Sequence, residues 1–330
     1  MAQLEAGPRA IEIEFERPPL LTNQEGRPRG VGVEIEFSGL TAEAAARTLA
    51  EALGGHVVHK DPHRFLVEAS EIGDLEVELD SRYAHPEKMD QSSLLGRVEA
   101  KLSEWFGAAA SLVVPCELVT GPVPIERLSE VQRAIDVLRQ AGATGTQDGA
   151  LYAFGLHFNP EAPRLDAETI GAILKAFVLL NAWLRREVAP DTTRYLLGFA
   201  DPFPDDYVRW IAAPDYWPDL GRFIDDYLDA NPTRNRDLDL LPLLTFIDEE
   251  RVRTRLPQEK IGKRPAFHYR LPDARISDPG WQIAPDWNRW VAVERIAADR
   301  DRLAQLGLAY LVFEGETKSW ADVAQRIAFA

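Results

Sequence analysis

The chain has 330 residues, 45% of them hydrophobic, which is enough apolar material for one large core or two smaller ones. Its formal net charge of −16 argues against nucleic acid or an anionic membrane as a partner, because surfaces that bind either are basic. The single cysteine, Cys116, excludes a disulfide within the chain, and the N-terminus lacks a signal-peptide pattern, so we expect a cytoplasmic protein.

The sharpest pattern in the chain is an acidic strand. The run Gly-Val-Glu-Ile-Glu-Phe at 32–37 alternates with the period of a β-strand, so its apolar residues would face a core. Glu34 and Glu36 would share the other face, about 7 Å apart. Two like charges this close repel each other on a sheet, and a divalent metal ion would relieve that repulsion.

The same alternation recurs at 11–15 and at 75–80, and the second of these runs carries Glu78 and Asp80. Three such strands suggest a sheet with an acidic face that could hold several metal ions. The alternative is an ordinary amphipathic sheet whose acidic face is solvated.

The remaining elements follow from apolar periodicity and from turn residues. Predicted helices lie near 41–53, 90–106, 124–141, 166–190, 286–305 and 319–328. Further predicted strands lie near 56–59, 64–69, 111–119, 151–158, 265–271 and 308–314. Because strands and helices do not alternate regularly, we expect an α+β protein with a mainly antiparallel sheet, helices on its apolar face and an open acidic face. We expect one domain over 1–330, with a helical or lid insertion at about 166–255.

Two later strands carry candidate polar residues. Glu117 ends an apolar strand just before a turn, and it could instead be a carboxylate that simply meets solvent. His157 and Asn159 share one face of the strand at 155–159. A histidine on a strand can bind a metal or make a structural hydrogen bond.

Two basic segments stand out in this acidic chain. Arg234 and Arg236 lie in the loop at 231–242, and guanidinium groups match phosphate oxygens. A second cluster precedes and enters the strand at 265–271, where Arg270 is in step with His268; its cations are Lys260, Lys263, Arg264 and Arg270. A solvated charged loop is the alternative reading of the first segment. Carboxylates for metal and cations for phosphate together predict an enzyme that uses a nucleoside triphosphate.

At these residues the chain resembles the amidoligases of the glutamate–cysteine ligase and glutamine synthetase superfamily of carboxylate–amine ligases. The resemblance rests on four motifs in order and covers most of residues 30–275. The motifs are Gly-Val-Glu-Ile-Glu-Phe at 32–37, Glu-Leu-Val-Thr-Gly-Pro at 117–122, Gly-Leu-His-Phe-Asn at 155–159 and Arg-Pro-Ala-Phe-His-Tyr-Arg-Leu-Pro-Asp at 264–273.

The resemblance implies a half-barrel cup of antiparallel strands, like the glutamine synthetase catalytic domain, that binds ATP and Mg²⁺ (or Mn²⁺). It implies transfer of the γ-phosphoryl group to a substrate carboxylate, followed by attack of an amine on the acyl phosphate. The substrates would be a small-molecule or peptide carboxylate and an amine. The implied metal ligands are Glu34, Glu36, Glu117 and His157, with Glu78 and Asp80 in the interval of a further ligand; His157 would also lie near the substrate, and Arg270 would contact phosphate or substrate.

One departure from the pattern is His268, because glutamine synthetases carry Glu two residues before the arginine that matches Arg270. A histidine at this position would alter or remove one of the metal sites that the resemblance implies. Arg234, Arg236, Lys260 and Lys263 match no residue of the family, and they remain phosphate-binding candidates by charge alone. Two other functions stay open: a phosphotransferase of the same fold, and a non-catalytic scaffold that has lost its metals.

Overall fold

The computed structural model describes residues 12–79, 115–148, 154–190 and 200–330. Within these ranges the strands are β1 (Gly30–Phe37), β2 (His56–Asp61), β3 (Arg64–Ser70), β4 (Gly73–Leu79), β5 (Cys116–Thr120), β6 (Val123–Pro124), β7 (Leu156–Pro160), β8 (Leu238–Asp239) and β9 (His268–Tyr269). The helices are α1 (Ala42–Leu53), α2 (Leu128–Gln140), α3 (Ala167–Val188), α4 (Asp205–Ala212), α5 (Leu220–Ala230), α6 (Leu241–Ile247), α7 (Glu249–Arg255), α8 (Ala284–Ala298), α9 (Arg300–Leu311) and α10 (Thr317–Ala328).

The strands form one antiparallel sheet in the order β2-β3-β4-β5-β1-β7-β9-β8, and the short β6 pairs with the start of β1. The described sheet is open, since its path ends at β2 on one side and at β8 on the other. These features confirm the prediction of an α+β fold with a mainly antiparallel sheet. The half-barrel cup stays a prediction.

Alternation in β1 divides the sheet into two faces, as the sequence predicts. Val33, Ile35 and Phe37 are fully buried in the core. Helix α1 packs on β3 and β4 on this apolar side, and its N-terminus is capped by Thr41, whose hydroxyl accepts from the amide of Ala44. The opposite face therefore belongs to the polar residues of the same strands.

The far half of the apolar face is covered by α3 and α8. Phe158 of β7 and Tyr269 of β9 stack with ring centroids 6.4 Å apart. The ring centroid of Tyr269 lies 5.8 Å from that of Phe177 on α3 and 5.7 Å from that of Trp290 on α8. This aromatic layer fixes β9 against the helices and turns the residues on either side of Tyr269 toward the polar face.

Helix α3 is the longest described helix and confirms the helix predicted at 166–190. It begins after Asp166, whose carboxylate accepts from the amide of Thr169 at 2.7 Å. Its length and composition would suffice to cross a membrane, but 72% of its most apolar window is buried inside the protein. The burial is that of a core helix.

Several predicted helices and strands differ from those in the structure. Residues 12–15 form no strand, because this arm is held by α8 instead of by a strand partner: Asn288 donates to the Glu14 carbonyl and Trp287 donates to that of Glu16. The predicted strand at 308–314 is wrong, because residues 308–311 are the last turn of helix α9, which ends at Leu311. The predicted helix at 286–305 is two helices that meet at Asp299, which caps the second. The predicted helix at 90–106 lies outside the described residues.

The segment at 166–255 contains α3 to α7, but it also contributes β8 to the main sheet. Helix α3 packs against α8 and α10, which follow the segment in the chain. The description of this segment as a lid insertion into a single domain stays a prediction.

Candidate metal and phosphate site

The polar face of the sheet brings together the acidic residues that the sequence singles out. In the register of the strands, Glu36 of β1 lies opposite Glu117 of β5, and Glu117 lies opposite Glu78 of β4. On the other side of β1, Glu34 lies opposite His157 of β7. Directly opposed residues have Cβ atoms only about 5 Å apart, so pairing alone sets these side chains side by side.

Glu34 is at the centre of a network of polar contacts. Its Oε2 lies 3.0 Å from Nδ1 of His157, and its Oε1 accepts a hydrogen bond of 2.8 Å from Nδ2 of Asn159. Arg264 reaches the same oxygen at 3.4 Å and also donates to Oδ1 of Asn159. The carboxylate is therefore held in one orientation by groups from β7 and from the segment before β9.

Two groups of side chains on this face are close enough to hold a metal ion. In the first, one ligand atom from each of Glu34, His157 and His268 lies within 4.8 Å of the others. In the second, the same holds for Glu36, Glu117 and His157. The donors are carboxylate oxygens and imidazole nitrogens, so the residues present fit a divalent cation.

The protonation states of His157 and Glu34 suit a cation. Burial lowers the pKa of His157 to about 3, so its imidazole is neutral at physiological pH and keeps a lone pair. Burial would raise the pKa of Glu34, but the neighbouring His268 and His157 hold the pKa of this carboxyl well below its usual range. A carboxylate next to neutral imidazole is the form of these groups that binds a metal.

His268 joins this face from β9, and the sequence does not predict it as a ligand. Its Nε2 lies 3.6 Å from Oε2 of Glu34, and its Nδ1 lies 3.6 Å from Oδ2 of Asp239 on β8. Asp239 is fully buried, and its Oδ1 accepts from the amide of Leu241. The only sequence signal for His268 is its departure from the glutamate of the resembling enzymes, and no sequence pattern marks Asp239.

Three arginines border the cluster. Arg264 contacts Glu34 directly, and Arg270, which is 5% exposed, donates to the carbonyl of Arg234. The Nε atom of Arg234 lies 3.5 Å from Oδ2 of Asp239. The structure thus brings these three predicted phosphate-binding residues to the edge of the acidic face, although their present partners are protein groups.

The other predicted cations have different surroundings. Arg236 donates to Asn231 and to the Pro202 carbonyl and lies over the ring of Phe203, which is a structural set of contacts. Lys263 is exposed and forms an ion pair of 2.6 Å with Glu249. Lys260 is also exposed. Asp80, the remaining predicted metal ligand, lies outside the described residues.

Comparison with known protein families decides the family. A family model described as putative amidoligase enzyme matches residues 27–292. The chain belongs to this family. The matched span contains both groups of candidate ligands and the three arginines beside them. No curated protein and no solved structure shows significant similarity to the chain.

Membership in the amidoligase family supports a ligase-type enzyme in general terms and confirms the resemblance inferred from the four motifs.

Proposed function

We propose that this amidoligase-family protein joins a carboxylate to an amine at the expense of ATP, through an acyl phosphate. The observation that carries the proposal is the polar face of the sheet, where two groups of metal-ligating side chains lie beside three arginines within the family's matched span. Carboxylates for a cation next to cations for phosphate are what a nucleoside-triphosphate site requires.

Glu36 and Glu117 of the second group supply carboxylate ligands for Mg²⁺ (or Mn²⁺). Glu36 is 4% exposed and its Oε2 accepts from the amide of Gly155 at 2.9 Å, so its carboxylate is held in place before any ligand arrives. Glu117 faces it from β5. A divalent ion bound there would neutralise phosphate charge and help to align the transferring group.

The arginines act on the phosphate groups of the nucleotide. The guanidinium of Arg270 is held beside β8 by its bond to the carbonyl of Arg234, and this fixed position costs no reorganisation during phosphoryl transfer. Arg264, which is half-buried, can exchange its bond to Asn159 for one to a phosphate oxygen.

An acyl phosphate accounts for the chemistry without a nucleophile from the protein. A substrate carboxylate oxygen takes the γ-phosphoryl group and ADP leaves. The amine nitrogen then attacks the carbonyl carbon, the carbon–oxygen bond to phosphate breaks, and the nitrogen loses a proton. Cys116 is no competitor, since burial raises the pKa of its thiol to about 11.

The test is to incubate the full chain with ATP, Mg²⁺, a panel of carboxylates and hydroxylamine. Hydroxylamine intercepts an acyl phosphate as a hydroxamate, so the proposal predicts ADP and hydroxamate in equal amounts with at least one carboxylate. ADP release with a phosphorylated product and no hydroxamate would favour the phosphotransferase instead. Failure to bind ATP with every carboxylate and amine present would contradict both enzyme functions and favour the scaffold.

A further inference from the structure

The position of His268 requires an explanation beyond the proposed function. Its side chain is 5% exposed, and neither ring nitrogen makes a hydrogen bond within the described part of the chain. A neutral imidazole has one donor and one acceptor, and each is costly to bury without a partner. The ring is therefore placed as if a further group completed its contacts.

Asp239 indicates which ring nitrogen of His268 is available to a further ligand. Its Oδ2 faces Nδ1 of His268 at 3.6 Å and Nε of Arg234 at 3.5 Å, and, like the histidine nitrogen, it makes no hydrogen bond in the described residues. A small closure of this gap would let Nδ1 donate to the carboxylate, which fixes the tautomer and leaves the lone pair of Nε2 directed toward Glu34. This is the arrangement in which a carboxylate orients a metal-ligating histidine.

One ligand atom from each of Glu34, His157 and His268 lies close enough to the others for the three residues to share a single ion. Oε2 of Glu34 lies 3.0 Å from Nδ1 of His157 and 3.6 Å from Nε2 of His268. Neighbouring donors around an ion with metal–ligand distances near 2.1 Å are roughly 3 to 3.4 Å apart. The rings of His157 and His268 meet edge to face, at 82°, so their nitrogens approach Glu34 from different directions.

We infer that Glu34, His157 and His268 bind one transition-metal ion of the Zn²⁺ and Co²⁺ class in preference to Mg²⁺, and that Asp239 orients His268 for this role. The inference rests on the proposed function in placing catalysis on this face, but metal binding can be measured without catalysis. Two imidazoles and one carboxylate are the donor set of borderline transition ions, whereas Mg²⁺ prefers oxygen ligands and retains its water. Glu36 and Glu117 then remain for the Mg²⁺ of the nucleotide.

The experiment titrates the untagged, metal-free full chain with Co²⁺ in the absence of ATP, by visible absorption and by calorimetry. The inference predicts one Co²⁺ per chain with the d–d bands of nitrogen ligation, which Zn²⁺ abolishes by displacement. Displacement by Mg²⁺ should need a concentration at least about 100-fold higher than that of Zn²⁺.

The variants distinguish this site from adventitious binding. His268→Gln and Asp239→Asn should each weaken Co²⁺ binding by about 10- to 100-fold, and Asp239→Asn should do so although Asp239 supplies no ligand. His268→Glu, which gives two carboxylates and one imidazole, should reduce the ratio of the affinity for Zn²⁺ to the affinity for Mg²⁺. The control is His63→Gln, since His63 is an exposed histidine between β2 and β3 and should not affect the titration.

Equal affinity for Mg²⁺ and Zn²⁺, or an unchanged Co²⁺ spectrum in folded His268→Gln, would overturn the inference. Unfolding curves of the metal-free variants establish that each one folds; if His268→Gln does not fold, the spectrum and stoichiometry of folded His268→Glu decide. If the protein binds Co²⁺ in this way but forms no hydroxamate, the inference about the metal site stands and the proposed ligase function is contradicted.

Discussion

Arg270 occupies the position where a guanidinium can act on a transferring phosphoryl group. It is 5% exposed at the edge of the acidic face. Its guanidinium donates to the carbonyl of Arg234, and Nε of Arg234 lies 3.5 Å from Oδ2 of Asp239. We expect Arg270→Ala to lower ATP turnover by about 100-fold or more, because a preorganised charge is lost from the transition state. Steady-state ADP release under saturating Mg²⁺ measures this effect.

Lys263 provides the matched control for Arg270. It belongs to the same basic segment, but its ammonium is exposed and paired with Glu249. Lys263→Ala should therefore leave turnover within about twofold of the parent protein, since an exposed ion pair contributes little. An Arg270→Ala protein as active as Lys263→Ala would remove Arg270 from the site.

Cys116 is expected to be a packing residue. It is 5% exposed in β5, and its Sγ lies 3.5 Å from the carbonyl of Leu40. Burial raises the pKa of the thiol to about 11, so almost no thiolate forms at neutral pH. Cys116→Ser should retain activity in the hydroxamate assay, and a folded but inactive Cys116→Ser protein would restore the thiol as a nucleophile.

Sequence patterns predict single strands well and the partners of loop residues poorly. Alternation at 32–37 predicts that Glu34 and Glu36 share a face, and alternation at 155–159 predicts the same for His157 and Asn159, because a strand's period decides which of its side chains share a face. The register of β1 with β7, which alternation cannot predict, then sets Glu34 opposite His157. The same alternation at 11–15 failed, since residues 12–15 are held by side chains of α8, far along the chain.

Among the predicted cations, charge alone could not tell Arg264 from Arg236. Arg264 reaches Glu34, whereas Arg236 reaches Asn231 and Phe203, and the difference depends on how the segments fold back on the sheet. Asp239 escaped prediction for the same reason, because β8 is only two residues long and has no periodicity to recognise.

A buried ion pair joins Arg29, immediately before β1, to Glu294 of α8. Arg29 donates to both carboxylate oxygens of Glu294 at 2.7 and 2.8 Å, and the indole of Trp290 donates to the same carboxylate. Both partners of the ion pair are almost fully buried. Glu294→Gln should lower the free energy of unfolding by about 3 kcal/mol, because it leaves a buried guanidinium without its counter-charge.

Chemical denaturation measures this loss, and two further variants test its cause. Glu43→Gln breaks the exposed pair with Arg47 on α1 and should cost less than about 0.5 kcal/mol. Replacing both partners, Arg29→Met with Glu294→Leu, should recover much of the stability that Glu294→Gln loses. A Glu294→Gln protein as stable as Glu43→Gln would contradict the account of this contact.

Asp286 makes the free energy of unfolding of the protein depend on pH. Burial raises the pKa of this carboxyl to about 6, although Nη1 of Arg289 lies 2.7 Å from its Oδ1 and acts to lower the pKa. The native state therefore holds a proton between about pH 4 and pH 6 that the unfolded state has released, and stability falls as the pH rises through this window.

The measurement compares unfolding curves at pH 4 and pH 7 for the parent protein and two variants. Between these pH values the free energy of unfolding should fall by up to roughly 3 kcal/mol less in Asp286→Asn than in the parent protein. Asp301→Asn, at an exposed position on α9, should leave the pH dependence unchanged. If Asp286→Asn and the parent protein lose the same stability over this range, Asp286 is not the group responsible.

We expect the acidic face of the sheet to bind ATP together with a divalent cation. The most direct test is calorimetric titration of the full chain with a non-hydrolysable ATP analogue, with and without Mg²⁺, for the parent protein, Glu36→Gln and the exposed control Glu126→Gln. We predict binding that requires Mg²⁺, is lost in Glu36→Gln and is retained in Glu126→Gln. Binding that ignores Mg²⁺, or that survives Glu36→Gln unchanged, would contradict the claim.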